Sequence, residues 1–549
     1  MRVRNIIFGV ILSLVCGVIP ARGQDRFVVE VCHENTEAMQ QVFERFVPWT
    51  VIPAMHCAVF DVSGAERLEL EASGYRVRVD LEKTEKYFGS SGIVTRARQK
   101  RTISGYSCLR TTDELYAACA DLAQRRPDLV LWSDIGDSWE KTQELGGHDI
   151  MLLRLGKPAV EGTTAPIVLL TAGIHARELA PPEVAVRFAE YLVSFADSDP
   201  EIAWLLATRQ IHLIPVVNPD GRAQAQTGLL WRKNTNNTFC AATDNRGVDL
   251  NRNFPFNWAC CNGSSPFECA NDYRGPMSSS EPETTAVTEY IRSIFPDRRG
   301  EADYDAAPDD TPGLYIDLHS YGEMVLWPWG YTYNSPPNET LSVLGQALAG
   351  QNGYWAGQAS GLYPTDGAAD DFGYGERGVA SYTIEMGTDF FQECPEFEQT
   401  IWPSMRKTLL YAFTNGATPY LTPSGPLVEV TSIVNDSAKR QLHITAVAQV
   451  SQAGTVVRSA SVGLYSLQGV LVSTTVAMQP RDGVFDAAEE TVEADMTVDP
   501  QLSGTFFVVA DAQTDNDITG PQTAAFAAIS DPYAAIAAIL DVLLENETQ

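Results

Sequence analysis

Short apolar runs that end in glycine or a polar turn recur along much of this chain, and they alternate with stretches of helical period. Ile167 to Gly173 (IVLLTAG) is the clearest run. Its length and near-continuous apolar character read as a buried strand. Gly313 to Leu318 (GLYIDL) reads as a second strand, and Ile211 to Val217 as a third that ends in the turn Asn218-Pro-Asp-Gly221. Thr112 can cap a helix over 113–125, and Pro182 opens another that runs to about Ala196. Strands alternating with helices over 102–420 are the pattern of a layered α/β domain.

The pattern changes on both flanks. Residues 24–88 read as a small α+β module, with strands at Phe27 to Val31 and Ala58 to Val62. Its helices are expected at Glu37 to Phe46 and Ala65 to Ser73, and Tyr75 to Val79 closes it. The stretch Gly89-Ser-Ser-Gly92 and the basic residues Arg96, Arg98, Lys100 and Arg101 follow. A flexible basic stretch of this kind is an ordinary linker or a site for a trypsin-like protease. The hypothesis is a propeptide over 24–101, removed near Arg101. Prolines 419, 423 and 426 mark a second linker. Beyond it, Val428 to Ile433, Gln441 to Val450, Val456 to Ser466 and Gly504 to Val509 are short β-type runs. They suggest a β-sandwich over 427–530, without a chemical motif. Residues 531–549 form a C-terminal helix or tail, with Ile536, Ile539, Leu540 and Leu543 on one helical face.

Composition narrows the picture. The chain has 549 residues, enough for two to four domains. A net charge of −31 argues against nucleic acid and anionic membranes as partners. It mildly favours basic substrates, although solubility alone explains it as well. Arg2 and Arg4 precede the apolar run Ile6 to Ile19, which is too short to span a bilayer. With Ala21-Arg22-Gly23 as a cleavage region, residues 1–23 read as a signal peptide of a secreted or periplasmic protein. No other segment could span a membrane. Export permits disulfides. Nine of the ten cysteines follow the signal, so at least one thiol stays unpaired within the chain. Cys32-His33 and His56-Cys57 could suggest a metal site, but neighbours on a strand face opposite sides, so a Cys32–Cys57 disulfide is the expectation. Cys240, Cys260, Cys261 and Cys269 are expected to staple a loop.

The candidate chemistry sits at the strand ends. His175-Ala-Arg-Glu178 follows the first run at once, and His319 ends the second. A histidine, a carboxylate and a distant histidine are the ligand set of a catalytic zinc site, with one position left open. α/β enzymes place their chemistry at strand ends. Glu385, in Ser381-Tyr-Thr-Ile-Glu385, is a carboxylate in an otherwise apolar strand, which is costly without a partner or a function.

Taken in order, these motifs resemble the secreted zinc carboxypeptidases of the carboxypeptidase A/B type, over residues 105–418. The resemblance implies a three-layer α/β/α domain with a mixed central sheet. It implies one zinc ion held by His175, Glu178 and His319, and a substrate that is a peptide or protein C-terminus. Asp249, in Gly247-Val-Asp-Leu-Asn-Arg-Asn253, matches a carboxylate that orients the first histidine. Glu385 matches the base that takes a proton from water and passes it to the leaving amine. Arg232 matches the arginine that stabilises the oxyanion. Asn251 and Arg252 match the pair that grips the terminal carboxylate, for which a planar guanidinium is suited. Arg177 matches a subsidiary arginine, and Tyr363 a mobile tyrosine that closes over the substrate. Asp370, seven residues on, matches the base of the pocket for the terminal side chain, where an aspartate favours Lys and Arg. Gln358 is a second candidate for that pocket, and a wet pocket would make the preference mixed.

The chain departs from the family in its longer Glu178-to-His319 spacing and in two loop insertions, 258–272 and 297–310. The N-terminal module is short, and the β domain lies outside the family pattern. Two other readings stay open. One is trimming of peptidoglycan stem peptides, against which the acidic pocket argues. The other is an inactive zinc domain that binds free C-termini, against which intact Glu385 and Arg232 argue.

Overall fold

The computed structural model describes residues 26–89, 102–158, 164–241, 245–450 and 454–530. The expected signal peptide, the cut near Arg101 and the helix at Tyr533 to Glu545 lie outside them. Two units are distinguished, divided after Val94.

The first unit holds four strands: β1 (Arg26–Cys32), β2 (Thr50–Ile52), β3 (Cys57–Ser63) and β4 (Arg76–Val79). They form an antiparallel sheet in the order β2-β3-β1-β4. Cys32 stands opposite Cys57 in the register, and the two form the expected disulfide. Tyr75 to Val79 does not close the unit. A further helix, Leu81–Phe88, follows, capped by the Asp80 side chain on the Lys83 N–H. Its Leu-Glu-Lys-Thr-Glu-Lys start is too polar to announce an apolar face.

The second unit is built on eight strands: β5 (Val130–Asp137), β6 (Asp149–Leu155), β7 (Ile167–Ala172), β8 (Gln210–Ile214), β9 (Leu314–His319), β10 (Met324–Trp327), β11 (Trp355–Gln358) and β12 (Ala380–Glu385). Their order is β11-β10-β12-β9-β7-β8-β6-β5. The four central strands β12, β9, β7 and β8 run parallel; β10 and β6 join them antiparallel, β11 pairs with β10 in parallel, and β5 pairs with β6 antiparallel. Strands buried on both faces read as continuous apolar runs, as β7 and β9 do. Leu169 of β7 and Tyr315 of β9 pack with helices Pro282–Ile294 and Ala369–Arg377 on one face. Alternate residues face the other way. Val168 lies against Gly416, just beyond helix Trp402–Asn415, on the side that also carries helices Ala180–Phe195 and Thr340–Asn352. The result is the mixed-sheet, three-layer α/β domain that the resemblance implied.

Two local expectations are corrected. The cap of helix Thr112–Arg125 is Thr111, one residue before the expected Thr112. It forms a capping box with Glu114, an arrangement that satisfies two backbone donors at once. Strand β8 stops at Ile214, and Asn218-Pro-Asp-Gly221 is the first turn of a helix, not a chain reversal. Asn218 caps that helix and Pro219 takes its first position, which proline fits because it lacks an N–H.

Strands β13 (Leu427–Asp436), β14 (Gln441–Gln449), β15 (Val457–Tyr465), β16 (Val476–Ala477), β17 (Gln479–Pro480), β18 (Glu489–Thr497), β19 (Gly504–Thr514) and β20 (Thr523–Ile529) follow. They make two four-stranded sheets, β13-β14-β18-β17 and β16-β15-β19-β20, around one apolar core. This is the sandwich the short β-type runs suggested. The outer side of β19 docks on the α/β domain. Phe507 and Val509 pack on Ala203, Trp204 and Ala207, with Trp204 5.5 Å from the Phe507 ring. Lys157 Nζ donates to the Leu467 carbonyl at 2.6 Å across the same contact.

Candidate metal centre

Strand register brings the candidate residues together. Ala172 of β7 is paired with Leu318 of β9, and His319 is paired with Glu385 of β12. The segment after β7, which carries His175 and Glu178, therefore leaves the sheet beside His319 and Glu385.

The three donors are buried and converge. His175 Nδ1 lies 2.8 Å from Glu178 Oε1, and His319 Nδ1 lies 3.1 Å from Glu178 Oε2. The two Nδ1 atoms are 3.1 Å apart. On the far side of each ring a carboxylate faces Nε2: Asp249 Oδ1 at 3.3 Å from His175 and Asp317 Oδ2 at 2.8 Å from His319. These partners hold the ring protons at Nε2 and turn the Nδ1 lone pairs inward. Two lone pairs and a carboxylate aimed at one point suit a cation, and an imidazole–imidazole–carboxylate set suits zinc. Among the described residues, two other acidic or cysteine groupings fit a metal poorly. Cys32 and Cys57 are tied up in their disulfide, and Lys141 already pairs with Asp137 and Asp149.

The electrostatics are consistent with this. Burial opposes charge on Glu178, but His175 and His319 outweigh it and hold the carboxylate below its usual range. Burial likewise opposes charge on His319, and Asp317 and Glu178 outweigh it. Glu385 is different. Burial, reinforced by the Glu178 charge, pushes its carboxyl up to about 8. Its Oε2 is buried without a hydrogen-bond partner.

Asp249 also binds Arg232, whose Nη2 and Nε donate to Oδ2 at 2.8 and 3.1 Å. The expected orienting carboxylate and the expected oxyanion arginine are thus one buried ion pair. Gly247, at φ +94°, lets this segment press on Asn234, where a Cβ would collide with the carbonyl. Asn251 accepts the Ala369 N–H at 2.8 Å, and its Nδ2 is 3.5 Å from His319 Nε2. Arg252 donates to the Asn251 carbonyl at 2.6 Å and keeps a buried Nε without a partner. The Arg177 guanidinium lies 4.1 Å over the Phe390 ring. Tyr363 is half-buried and close enough to Arg232 to act on its charge. Asp370 is buried and accepts the Asp371 N–H at 3.0 Å. Burial and the nearby Asp317 raise its carboxyl, against the Asp371 N–H. Its neighbour Asp371 is engaged by the Gly330 N–H. Gln358 spends its amide on the Trp329, Thr332 and Asn334 carbonyls and on Ser360.

A sequence model of the zinc carboxypeptidase family matches residues 115–409. The chain belongs to the zinc carboxypeptidase family. It is 28% identical over 361 residues to carboxypeptidase B of Bos taurus, an alignment covering 61% of this chain and 80% of that protein. It is 34% identical over 301 residues to a zinc carboxypeptidase of Saccharothrix mutabilis subsp. capreolus, covering 52% of this chain and 63% of the relative. In structure it is similar to a carboxypeptidase A from Helicoverpa armigera, with a TM-score of 0.57 at 22% identity over 72% of this chain and 98% of that one. At that identity the likeness speaks for the fold. A metallocarboxypeptidase that uses zinc accounts for the donor set.

Sequence reasoning missed Asp317. Residues two apart on a strand share a face, so Asp317 stands beside His319. Thr171 Oγ1 donates to its other oxygen at 2.6 Å. The available signal was the one that marked Glu385, a carboxylate inside an apolar strand. Asp317→Ala is expected to weaken zinc binding by roughly 10- to 100-fold in a competition titration, and an unchanged affinity would remove Asp317 from the site.

The raised Glu385 carboxyl sets a pH dependence. Without the metal it is neutral below about 8. A dication nearby favours the carboxylate, so zinc binding near neutral pH expels this proton, and Glu385 contributes a rise of affinity with pH until about 8. Calorimetry in buffers of different ionisation enthalpy should count about one more released proton for wild type than for Glu385→Gln. Equal counts would contradict the assignment.

Proposed function

We propose that this zinc carboxypeptidase is exported and removes single residues from peptide and protein C-termini, with a basic (Lys/Arg) or mixed preference. One observation carries the reading: the convergent His175, Glu178 and His319 donors stand beside an unpartnered Glu385 oxygen and the buried guanidinium groups of Arg232 and Arg252.

His175, Glu178 and His319 hold the zinc. When bound, it supplies Lewis acidity toward water and the scissile carbonyl. Glu385, a carboxylate once the metal is bound, takes a proton from the attacking water and delivers it to the leaving amine nitrogen. Arg232, fixed by Asp249, stabilises the negative charge that develops on the carbonyl oxygen. Asn251 and Arg252 grip the terminal carboxylate, Arg177 assists on that side, and Tyr363 closes over it. Asp370 receives the terminal side chain. Burial raises this carboxyl, and an entering cation favours its charged form, which supports a basic or mixed preference.

We also propose that residues 1–23 direct export and that 24–101 are a propeptide cut by an activating protease. Four disulfides among the described residues support an oxidising compartment. Among the same residues, no helix is long and apolar enough to cross a membrane.

Amino-acid release from matched peptides ending in Arg, Lys, Phe or Leu tests the reading, with protein cut near Arg101. Glu385→Gln should keep its zinc and lose about a thousandfold in kcat. Asp370→Ala should lower the Arg-to-Phe ratio of kcat/KM by roughly tenfold. A mutant at residue 385 that stays active would overturn the proton route, and an unchanged ratio would take Asp370 out of the pocket.

A further inference from the structure

The loop from Leu362 to Ala368 carries Tyr363 near its start and delivers Asp370 just past its end. It has no helix or strand of its own, yet Asp366 within it is completely buried. Asp366 Oδ2 accepts the backbone N–H groups of Cys261 at 3.2 Å and Gly263 at 2.9 Å, and Oδ1 accepts the Ser264 hydroxyl. All three donors belong to one turn, which begins at a disulfide between the neighbours Cys260 and Cys261. That turn lies in the Cys-rich insertion 258–272. Gly263 presses so closely on the loop that a Cβ there would lie 2.5 Å from the Asp366 nitrogen. Arg274 braces the turn from behind through the Ser264 carbonyl at 3.1 Å. On its other side the loop meets the carboxylate-gripping segment. Gly367, at φ +64°, faces the Arg252 carbonyl, which a Cβ would approach to 2.6 Å, and its own carbonyl accepts the Phe254 N–H.

A buried carboxylate is tolerated only while its donors stay in place, so loop and turn hold each other. The disulfide between sequence neighbours closes a small covalent ring that restricts the turn's backbone and keeps its N–H groups aimed at one point. We propose that Asp366 is a positioning residue: its carboxylate locks the Tyr363-to-Asp370 loop onto the Cys260–Cys261 turn, and so fixes where Tyr363 and Asp370 stand toward the substrate. The inference rests on the substrate-binding roles given to those two residues above.

Hydrogen–deuterium exchange on the full chain tests it through the peptide covering 361–368, with β9 and β12 as internal references. Wild type is compared with Asp366→Ala, Asp366→Asn and Gly263→Ala, and kinetics on a peptide ending in Arg run in parallel on the same proteins cut near Arg101. In Asp366→Ala and Gly263→Ala, loop protection should fall by about tenfold or more with β9 and β12 unchanged. KM should rise about tenfold while kcat changes less than about threefold. Asp366→Asn keeps one acceptor oxygen and should recover part of both effects. Unchanged loop protection in Asp366→Ala would overturn the proposal, as would an equal loss through β9 and β12. If wild type releases nothing from any peptide, the substrate roles fail, while the exchange measurement still decides whether Asp366 is the lock.

Discussion

Everything in the site depends on the register of three adjacent parallel strands. β7, β9 and β12 end together, which sets His319 directly beside Glu385 and brings the His175–Glu178 segment onto the same edge. Strand side chains alternate, so a one-residue slip would exchange His319 for Leu318 and dismantle the donor set. The helices on both faces bury these strands almost throughout, and that burial makes the register unambiguous.

Burial also produces the site's charge logic. Isolated charges at such depth would be prohibitive, so they come in interlocked sets. Asp249 serves His175 and Arg232, and Asp317 serves His319 and Thr171. Burial raises the carboxyls of Glu385 and Asp370, whose proposed roles need a proton or a cation to arrive, and that of Asp371, which the Gly330 N–H engages.

How legible all this was depended on where each residue fell in the hydrophobic pattern. His175, Glu178 and His319 were readable because they stand at the ends of strongly apolar runs. Glu385 was readable because it interrupts one. Asp317 carries the same signal, a carboxylate inside the apolar run Leu314–His319. β18 and β20 were not anticipated: Glu489–Thr497 carries the alternation of a half-buried strand and was legible, whereas Thr523–Ile529 is mostly alanine and gives little signal. Neither the Cys108–Cys394 bridge nor the pairing of neighbours Cys260 and Cys261 could be read from spacing. Such contacts join segments far apart or inside loops, where no periodicity reports on proximity.

The most direct test of the central claim, a zinc ion held by His175, Glu178 and His319, is X-ray absorption at the zinc edge on full-length protein loaded with one equivalent. The account predicts a shell of nitrogen and oxygen at about 2.0–2.1 Å with imidazole scattering from two rings, falling to one ring in His319→Ala. Sulfur in the shell, or an imidazole count that His319→Ala leaves unchanged, would contradict it.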